Sequence, residues 1–426
     1  MTSTVVRGEV REEESSEPLR SRLAERKERW RARLNGDFAK VLAVVIAWNG
    51  ALIGLAWLFG PSTPAPPGRG IPDTGIGATW SMLAHTYRWD SVWYGEIVQH
   101  GYNSSFEQVH AFYPVFPGLV WVVHTASFGL IGIISAGFLI NVVATWLATV
   151  ALLKIGRFFF SELGARLVAA AFLTAPTAYF LHSFYSEAIF CALGFWAYLF
   201  ALRRQWLWTG LLLIPLTATR ITAAVFVGLC FLEFWRSKEW KLRGLLSWKV
   251  LWFPAAFAGL AAHLTYMKFV TGNAFAGFDP DLMAKYWVYH KFNPDIFPTG
   301  IEVSKTAIKA IVGIYPMNEW MLINKVLPFV GLVLLFASSV YVLFALRTKG
   351  IPLAAFGIAS IVMLTVNSNV ISVHRYLLPC LVMYIALVLI GERRPKLRVG
   401  VQLVLYANSL ICAVMFLRFT AGAWTG

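Results

Sequence analysis

Long apolar stretches separated by short polar segments occupy most of the chain. Most of these stretches are roughly 16 to 25 residues long, close to the ~20 residues with which an α-helix crosses the hydrocarbon core of a membrane. The pattern predicts an all-α, polytopic membrane protein with about eleven spans. The spans are expected at 39–59, 131–153, 167–182, 185–201, 206–219, 220–235, 250–270, 320–345, 351–367, 376–391 and 398–417.

Polar residues mark the start of the chain and two larger loops. Residues 1–38 are acidic at first and then strongly basic, which is typical of a disordered cytoplasmic tail that leads into a basic juxtamembrane helix. They do not resemble a signal peptide, because the first apolar stretch is long enough to span and lacks a small-residue cleavage site. The remaining residues, 39–426, are expected to form one transmembrane domain, with outer loops at 60–130 and 271–319.

A shorter apolar run lies inside the first of these loops. Residues 112–130 begin with Pro114 and Pro117, and prolines there favour a short helix that dips into the membrane or lies at its surface. If this run crossed the membrane, the basic residues Lys154 and Arg157 would be placed outside. If it only dips, they become cytoplasmic, as basic residues near membrane spans usually are. We therefore predict that it does not cross.

The charge of the chain supports this topology and excludes one class of function. A net charge of +15 could indicate a nucleic-acid-binding protein, but the lysines and arginines cluster in short loops beside apolar stretches. Such clustering is the positive-inside pattern of membrane proteins. We therefore expect a multi-pass integral membrane protein of a bacterial plasma membrane. Its amino end would be cytoplasmic, and the loop 60–130 would lie outside.

That outer loop contains a stretch rich in chemically active residues, which runs from Arg88 to Tyr102. Asp90 and Glu96 are its only acids, and aromatic side chains flank them. At a membrane interface, neighbouring aromatic side chains partly shield a carboxylate from water. A carboxylate in such an environment can act as a base, and we predict this role for Asp90. The predicted substrate-binding residues of the stretch are Arg88, Trp89, Trp93, Tyr94, Glu96 and His100.

Ionisable residues also interrupt the apolar pattern at the outer ends of several spans. Glu187 follows Ser186, Arg220 begins a span, and His374 precedes Arg375. Charged groups are costly at a membrane and are therefore functional candidates, and arginines suit an anionic phosphate. We predict that Arg220, Arg375 and His374 bind such a phosphate. Two alternatives stay open: Glu187 and Arg220 could form a structural pair, and Arg375 could extend to lipid phosphates.

Other polar residues have simpler explanations. His263 lies alone in a span and is expected to be a hydrogen-bonded core residue. His100 has no second histidine or cysteine at a ligand spacing, so no metal site is predicted. Asp279 and Asp281 flank a proline, which favours a turn. The four cysteines all lie in apolar stretches without the spacing of metal or redox motifs, and we expect them to be small core residues.

Short motifs follow one another in a fixed order along the chain. They are Arg88-Trp89-Asp90-Ser91-x-Trp93-Tyr94, His100-Gly101-Tyr102, Phe112-Tyr113-Pro114-x-Phe116-Pro117, Ser183-x-Tyr185-Ser186-Glu187 and Thr219-Arg220, with weaker similarity at Thr271-Gly272-Asn273 and His374-Arg375-Tyr376-Leu377-x-Pro379. In this combination the chain resembles the PIG-V family of mannosyltransferases. Asn273 stands where the family often has an acid.

The resemblance implies a glycosyltransferase with the GT-C type of fold. Its mannose donor would be carried on a polyprenyl or dolichyl phosphate, and its acceptor would be a glycolipid or glycan. Asp90 would be the catalytic base, and Tyr113, Tyr185, Ser186 and Glu187 would contact substrate. An inverting transfer needs one base and a cation for the departing phosphate. Arginine can supply that cation, so neither a metal nor a cofactor is expected.

Two other functions fit the same sequence. The transferred sugar could be arabinose, galactose or glucose, because nothing in the motifs selects mannose by itself. The chain could also be a lipid or sugar transporter or flippase, since many spans and membrane-edge charges would suit a substrate pathway. Against transport, the sequence has no repeated halves, and its charged and aromatic residues concentrate on one side instead of at the midplane.

Overall fold

Helices account for nearly all regular structure in the computed structural model of the protein. No strand occurs among the residues that the structure describes, which confirms the predicted all-α fold. These residues are 19–61, 76, 80–279, 281, 285, 296–365, 370 and 372–426. Residues 1–18 of the predicted tail, and parts of the loops 60–130 and 271–319, lie outside them.

The α-helices form two series along the chain. The first comprises α1 (Leu19–Phe59), α2 (Ser91–His100), α3 (Val115–Ala126), α4 (Ile133–Gly156), α5 (Glu162–Leu173), α6 (Glu187–Leu202), α7 (Trp206–Thr217) and α8 (Ala223–Ser237). The second comprises α9 (Trp252–Ala255), α10 (Ala258–Thr271), α11 (Ile296–Ile311), α12 (Leu327–Leu346), α13 (Ile351–Thr365), α14 (Val373–Tyr376), α15 (Leu381–Arg393) and α16 (Arg398–Thr420). A π-helical turn, Leu322–Val326, leads directly into α12.

Within the described part of the chain, five helical stretches are long and apolar enough to cross a membrane. They are Gly36–Phe59, Ile133–Gly156, Trp248–Thr271, Glu319–Lys349 and Pro395–Thr420. Shorter apolar helices, among them α3, α6, α7 and α13, lie between them. The protein is therefore an integral membrane protein, as its hydropathy predicts.

The helices pack into one bundle around α4. This helix contacts α1, α3, α5 and α6, and α6 in turn contacts α7 and α8. In the second series α12 packs against α13 and α15, while α16 contacts both α15 and α1. A Cβ atom on Gly357 of α13 would lie 2.0 Å from Oγ of Ser339 on α12, so a glycine is needed for this close approach. The bundle brings the amino ends of α2, α6 and α14 together.

A predicted span and the shorter run 112–130 can be compared directly with the helices that they form. The span at 167–182 is wrong, because α5 begins earlier, at Glu162, and ends at Leu173. Pro176 explains this end, since a proline disfavours helical backbone in the residue before it and cannot donate to the previous turn. The run 112–130 forms the short helix α3 of 12 residues. At 1.5 Å per residue α3 is about 18 Å long, less than the ~30 Å hydrocarbon core.

Candidate active site

Asp90 lies immediately before α2, at the position that caps the amino end of the helix. Aspartate is favoured there because its carboxylate can accept hydrogen bonds from the free N–H groups of the first turn. In this protein the side chain makes no capping hydrogen bond. Nη1 of Arg375 donates to Oδ2 of Asp90 at 3.0 Å instead. The carboxylate is therefore oriented by tertiary structure and not by its own helix.

Arg375 also links Asp90 to a second ion pair. Nε of Arg375 lies 3.1 Å from Oε1 of Glu187, and Nη1 of Arg220 lies 2.6 Å from the same oxygen. These distances are those of ion pairs, although the angles at Glu187 do not give a good hydrogen bond. We call Asp90, Glu187, Arg220 and Arg375 the charged cluster. Its carboxylates and guanidinium groups balance in formal charge.

The members of the charged cluster differ in their access to solvent. The side chains of Asp90 and Arg220 are 16% and 15% exposed, whereas those of Glu187 and Arg375 are 1% and 4% exposed. Within the described residues, Oδ1 of Asp90 has no partner. Asp90 and Arg220 are therefore partly open to the surface of the protein, and the other two residues connect them from inside.

Aromatic rings surround the two guanidinium groups. Arg375 lies over the rings of Phe180, Tyr185 and Tyr376, at 4.8 to 5.2 Å from their centroids. Arg220 lies over the ring of Tyr376 at 4.7 Å. The hydroxyl of Tyr376 also accepts a hydrogen bond of 3.0 Å from Nη2 of Arg375. Cation–π contacts of this kind stabilise cations that are removed from water, and Tyr376 makes them with both arginines.

The turn before α6 is held by side chains from other parts of the chain. Nδ2 of Asn141 donates to the backbone oxygen of Tyr185 at 3.0 Å. The hydroxyl of Tyr185 donates to the backbone oxygen of Arg88 at 2.9 Å, and the hydroxyl groups of Tyr94 and Ser186 share a hydrogen bond of 2.8 Å. Burial raises the pKa of the Tyr94 hydroxyl, which therefore stays protonated. These bonds fix the start of α6 relative to α2.

Arg88 is buried, and its guanidinium group contacts backbone carbonyls. Nη1 donates to the oxygens of Tyr87 at 2.8 Å and Ala84 at 3.2 Å, and Nη2 donates to the oxygen of Thr420 at 3.3 Å. Burial lowers the pKa of Arg88 to about 10, which leaves it cationic at neutral pH. The structure thus gives Arg88 a connecting position between the site loop and α16, and its predicted contact with substrate stays a prediction.

Glu96 and His100 form a separate group on α2. Nδ1 of His100 lies 3.0 Å from Oε1 of Glu96, and Oγ of Ser104 donates to the same oxygen at 2.6 Å. The spacing of four residues along a helix explains the first contact, since such residues lie on one face. His100 therefore pairs with Glu96.

Tyr113 and Trp93 lie in aromatic packing with residues outside the charged cluster. The ring of Tyr113 is 4.9 Å from that of His263, and the ring of Trp93 is 6.0 Å from that of Phe106. His263 is buried as predicted, but its Nδ1 has no hydrogen-bond partner within the described residues. The hydrogen bond expected of a core histidine is therefore not made by Nδ1.

Trp89 and His374 both contact the segment that follows α16. Nε1 of Trp89 donates to the backbone oxygen of Ala423 at 3.1 Å, and Nε2 of His374 lies 2.9 Å from the backbone oxygen of Thr425. A carbonyl can only accept, so Nε2 of His374 carries the proton. This nitrogen is thus already occupied, and the predicted phosphate contact of His374 stays a prediction.

The smaller expectations are met elsewhere in the chain. The four cysteines are buried and free, as core residues would be. The backbone N–H of Asp281 donates to Oδ1 of Asp279 at 2.9 Å, which closes the predicted turn.

A comparison with protein families gives one match. The profile of the mannosyltransferase (PIG-V) family matches residues 72–279, a range that contains Asp90, Glu187 and Arg220. Over this range, just under half of its length, the chain is similar to that family and is PIG-V-like. No curated protein matched the chain.

Solved structures provide an independent comparison of the fold. The crystal structure of the oligosaccharyltransferase of Archaeoglobus fulgidus, in a complex with zinc and sulfate, matches 91% of the PIG-V-like chain with a TM-score of 0.51 and 12% sequence identity. The match covers 53% of the oligosaccharyltransferase chain, so the PIG-V-like chain spans about half the length of this neighbour. This similarity shows a shared GT-C-like fold.

Several site residues of the PIG-V-like chain could not be singled out from its sequence. Asn141 lies within an apolar stretch, and the hydropathy pattern alone gives it no distinct role. Tyr376 belongs to the weaker His374-Arg375-Tyr376 motif, which gave it no role of its own. Ala423 and Thr425 contribute mainly backbone oxygens, which every residue has, so no side-chain pattern could have identified them.

Proposed function

We propose that the protein is a membrane glycosyltransferase that moves mannose from a polyprenyl phosphate carrier to a glycolipid or glycan on the outer face of the membrane. The observation that carries this proposal is the charged cluster, in which a reachable carboxylate and a reachable guanidinium group are linked by two buried charges. The family match and the shared fold support it.

In the proposed reaction Asp90 is the base. Its Oδ1 accepts the proton of the acceptor hydroxyl while the hydroxyl oxygen bonds to the anomeric carbon of mannose. The bond from that carbon to the phosphate oxygen breaks, and the lipid phosphate leaves with the electron pair. Attack from the side opposite the phosphate inverts the anomeric centre. A positioned base of this kind contributes about 10²- to 10⁴-fold to the rate.

Arg220 is the better placed of the two arginines to receive the donor phosphate. Its guanidinium group is partly exposed, and its planar fork can bind two phosphate oxygens. The charge on the phosphate increases as the sugar leaves, so this contact strengthens in the transition state. In this proposal Arg220 supplies the cation that the reaction needs, without a metal ion or cofactor.

Arg375 is placed to hold the other charged groups in position. Its nitrogens already contact Asp90, Glu187, the hydroxyl of Tyr376 and the backbone oxygen of Gly426. Little of the guanidinium group is left for a phosphate. We therefore assign Arg375 to the orientation of Asp90, which refines the expectation that both arginines bind the donor.

The proposal can be tested with purified protein in lipid vesicles. Radiolabelled polyprenyl-phosphate-mannose and the corresponding arabinose, galactose and glucose donors are each incubated with membrane glycolipid, and the label that leaves the carrier is measured. We expect release from the mannose donor alone. Release from a different donor would change the sugar. Movement of the intact carrier across the bilayer without release of label would indicate a flippase and refute the proposal.

A further inference from the structure

The chain after α16 turns back into the site. Residues 421–426 run beside the charged cluster, and we call them the 421–426 segment. Its backbone carbonyls accept hydrogen bonds from side chains that belong to, or directly adjoin, the cluster. The contacts are Nε1 of Trp89 to Ala423 O at 3.1 Å, Nε2 of His374 to Thr425 O at 2.9 Å and Nη1 of Arg375 to Gly426 O at 3.3 Å.

The 421–426 segment is itself firmly held. Trp424 packs edge-on against Trp89 with ring centroids 4.9 Å apart, and its Nε1 donates to Oδ1 of Asn324 at 3.1 Å. Asn324 lies in the π-helical turn before α12, and such turns are frequent at functional sites. Oγ1 of Thr425 shares a hydrogen bond of 2.7 Å with the hydroxyl of Tyr179. The segment therefore joins the site to two other parts of the bundle.

Both partners of the Asp90–Arg375 pair follow backbone in an unfavourable conformation. Trp89 has φ of 54° and Ser372 has φ of 66°, in the left-handed region that side chains with a Cβ atom rarely adopt. Such residues persist only where surrounding structure holds them. For Trp89 this surrounding structure includes the 421–426 segment. Ala423 accepts a hydrogen bond from its Nε1, and the ring of Trp424 packs against its ring. On the other side the segment contacts His374 and Arg375, shortly after Ser372.

We propose that the 421–426 segment positions Asp90 and Arg375 for the transfer reaction, with Trp424 and Thr425 as its positioning residues. This inference rests on the proposed function. The segment contacts Trp89, the neighbour of Asp90, and it contacts Arg375 itself. It therefore reaches both sides of a pair whose members are 285 residues apart. When the segment is loosened, Trp89 can relax and the carboxylate of Asp90 moves relative to Arg375. Misplacement of about 1 Å in a reacting group can cost on the order of 100-fold in rate.

The test compares Trp424→Ala and Trp424→Phe with the control variant Trp206→Ala. Trp206 is buried against Phe234 with ring centroids 4.9 Å apart, on α7, so its removal also leaves a cavity but does not touch the segment. We expect Trp424→Ala to lower kcat about tenfold or more while the donor KM stays within about twofold. Trp424→Phe keeps a ring against Trp89 and should recover most of the rate. Trp206→Ala should keep kcat per folded molecule.

A second measurement separates this inference from the proposed function. Hydrogen exchange of the backbone amides around Trp89 and Arg375 should increase in Trp424→Ala and not in Trp206→Ala, whatever the enzyme transfers. Thr425→Val removes the hydrogen bond between Oγ1 and the hydroxyl of Tyr179 and leaves only the 3.2 Å bond from that hydroxyl to the backbone oxygen of Thr425. It is used if Trp424→Ala does not fold, and it should increase exchange near His374. Unchanged exchange would overturn the positioning role even if transfer is observed. Unchanged kcat in an active Trp424→Ala enzyme would overturn it as well.

Discussion

The position of Glu187 between Arg220 and Arg375 leads to a strong prediction about stability. Glu187→Gln removes the only carboxylate that contacts both guanidinium groups within the described residues. Nitrogens of both arginines lie within 3.1 Å of one oxygen, so they are within about 6 Å of each other. At that separation two positive charges repel by about 3 kcal/mol at an effective dielectric constant of ~20. Breaking a buried ion pair on one side typically costs about 3–5 kcal/mol.

Thermal unfolding in detergent, followed by the fluorescence of the 18 tryptophans, measures this loss. At about 2 °C per kcal/mol the midpoint should fall by about 6 to 10 °C. Glu162→Gln is the matched control, since Glu162 also pairs with an arginine, Arg157, but is 48% exposed. An exposed pair contributes less than about 1 kcal/mol, so the control should shift little.

The double variant Glu187→Gln with Arg220→Gln tests the cause of the loss. If repulsion between the arginines is responsible, removing one of them should recover about 2–3 kcal/mol, as coupled neighbours do in a mutant cycle. Equal shifts for Glu187→Gln and Glu162→Gln would refute the argument from burial. A double variant no more stable than Glu187→Gln would show that repulsion is not the cause, and an active double variant would remove Arg220 from the donor site.

Three further predictions concern the reaction and the topology. Asp90→Asn should lower the rate of transfer about 100-fold or more while the protein stays folded. Glu96→Gln, outside the charged cluster, should keep most of the activity, and the reverse result would identify Glu96 as the base. Arg220→Lys should raise the donor KM more than the acceptor KM and lower kcat, because lysine lacks the planar fork; unchanged donor kinetics would contradict this. A cysteine that replaces Ser105 should react with a membrane-impermeant thiol reagent added outside, and one that replaces Ser237 should not. Reversed labelling would place the charged cluster on the cytoplasmic side.

Sequence reasoning was most successful with the charged residues of the site. An ionisable group at a membrane edge interrupts an apolar pattern, and this signal marked Glu187, Arg220 and Arg375 before any contact was known. The structure brings all three together with Asp90. Hydropathy likewise identified the membrane-spanning character of the chain, because burial in lipid requires long apolar helices.

The sequence was less informative about helix ends and about contacts made by the backbone. The end of α5 at Leu173 depends on Pro176, which disfavours helical backbone just before it. Mean hydropathy over a long apolar stretch does not detect this local effect. The pairing of His100 with Glu96 follows from their four-residue spacing on one helix, whereas from the sequence the two were separate candidates for substrate binding. The division between reachable Arg220 and enclosed Arg375 depends on packing across the whole bundle, and no spacing of residues encodes it.

The shortness of α3 has a consequence for the lipid around the protein. With 12 residues this helix covers little more than half the thickness of an average hydrocarbon core, and it packs directly against α2 and α4. If such a helix ends within the hydrocarbon layer, its free terminal N–H and C=O groups need polar partners at that depth, and the bilayer can supply them by thinning locally. In the proposed reaction this deformation would bring the phosphate of a long-chain carrier towards the depth of Arg220 without stripping it from the headgroup layer. The acyl-chain length of the host membrane would then help to set the rate of transfer.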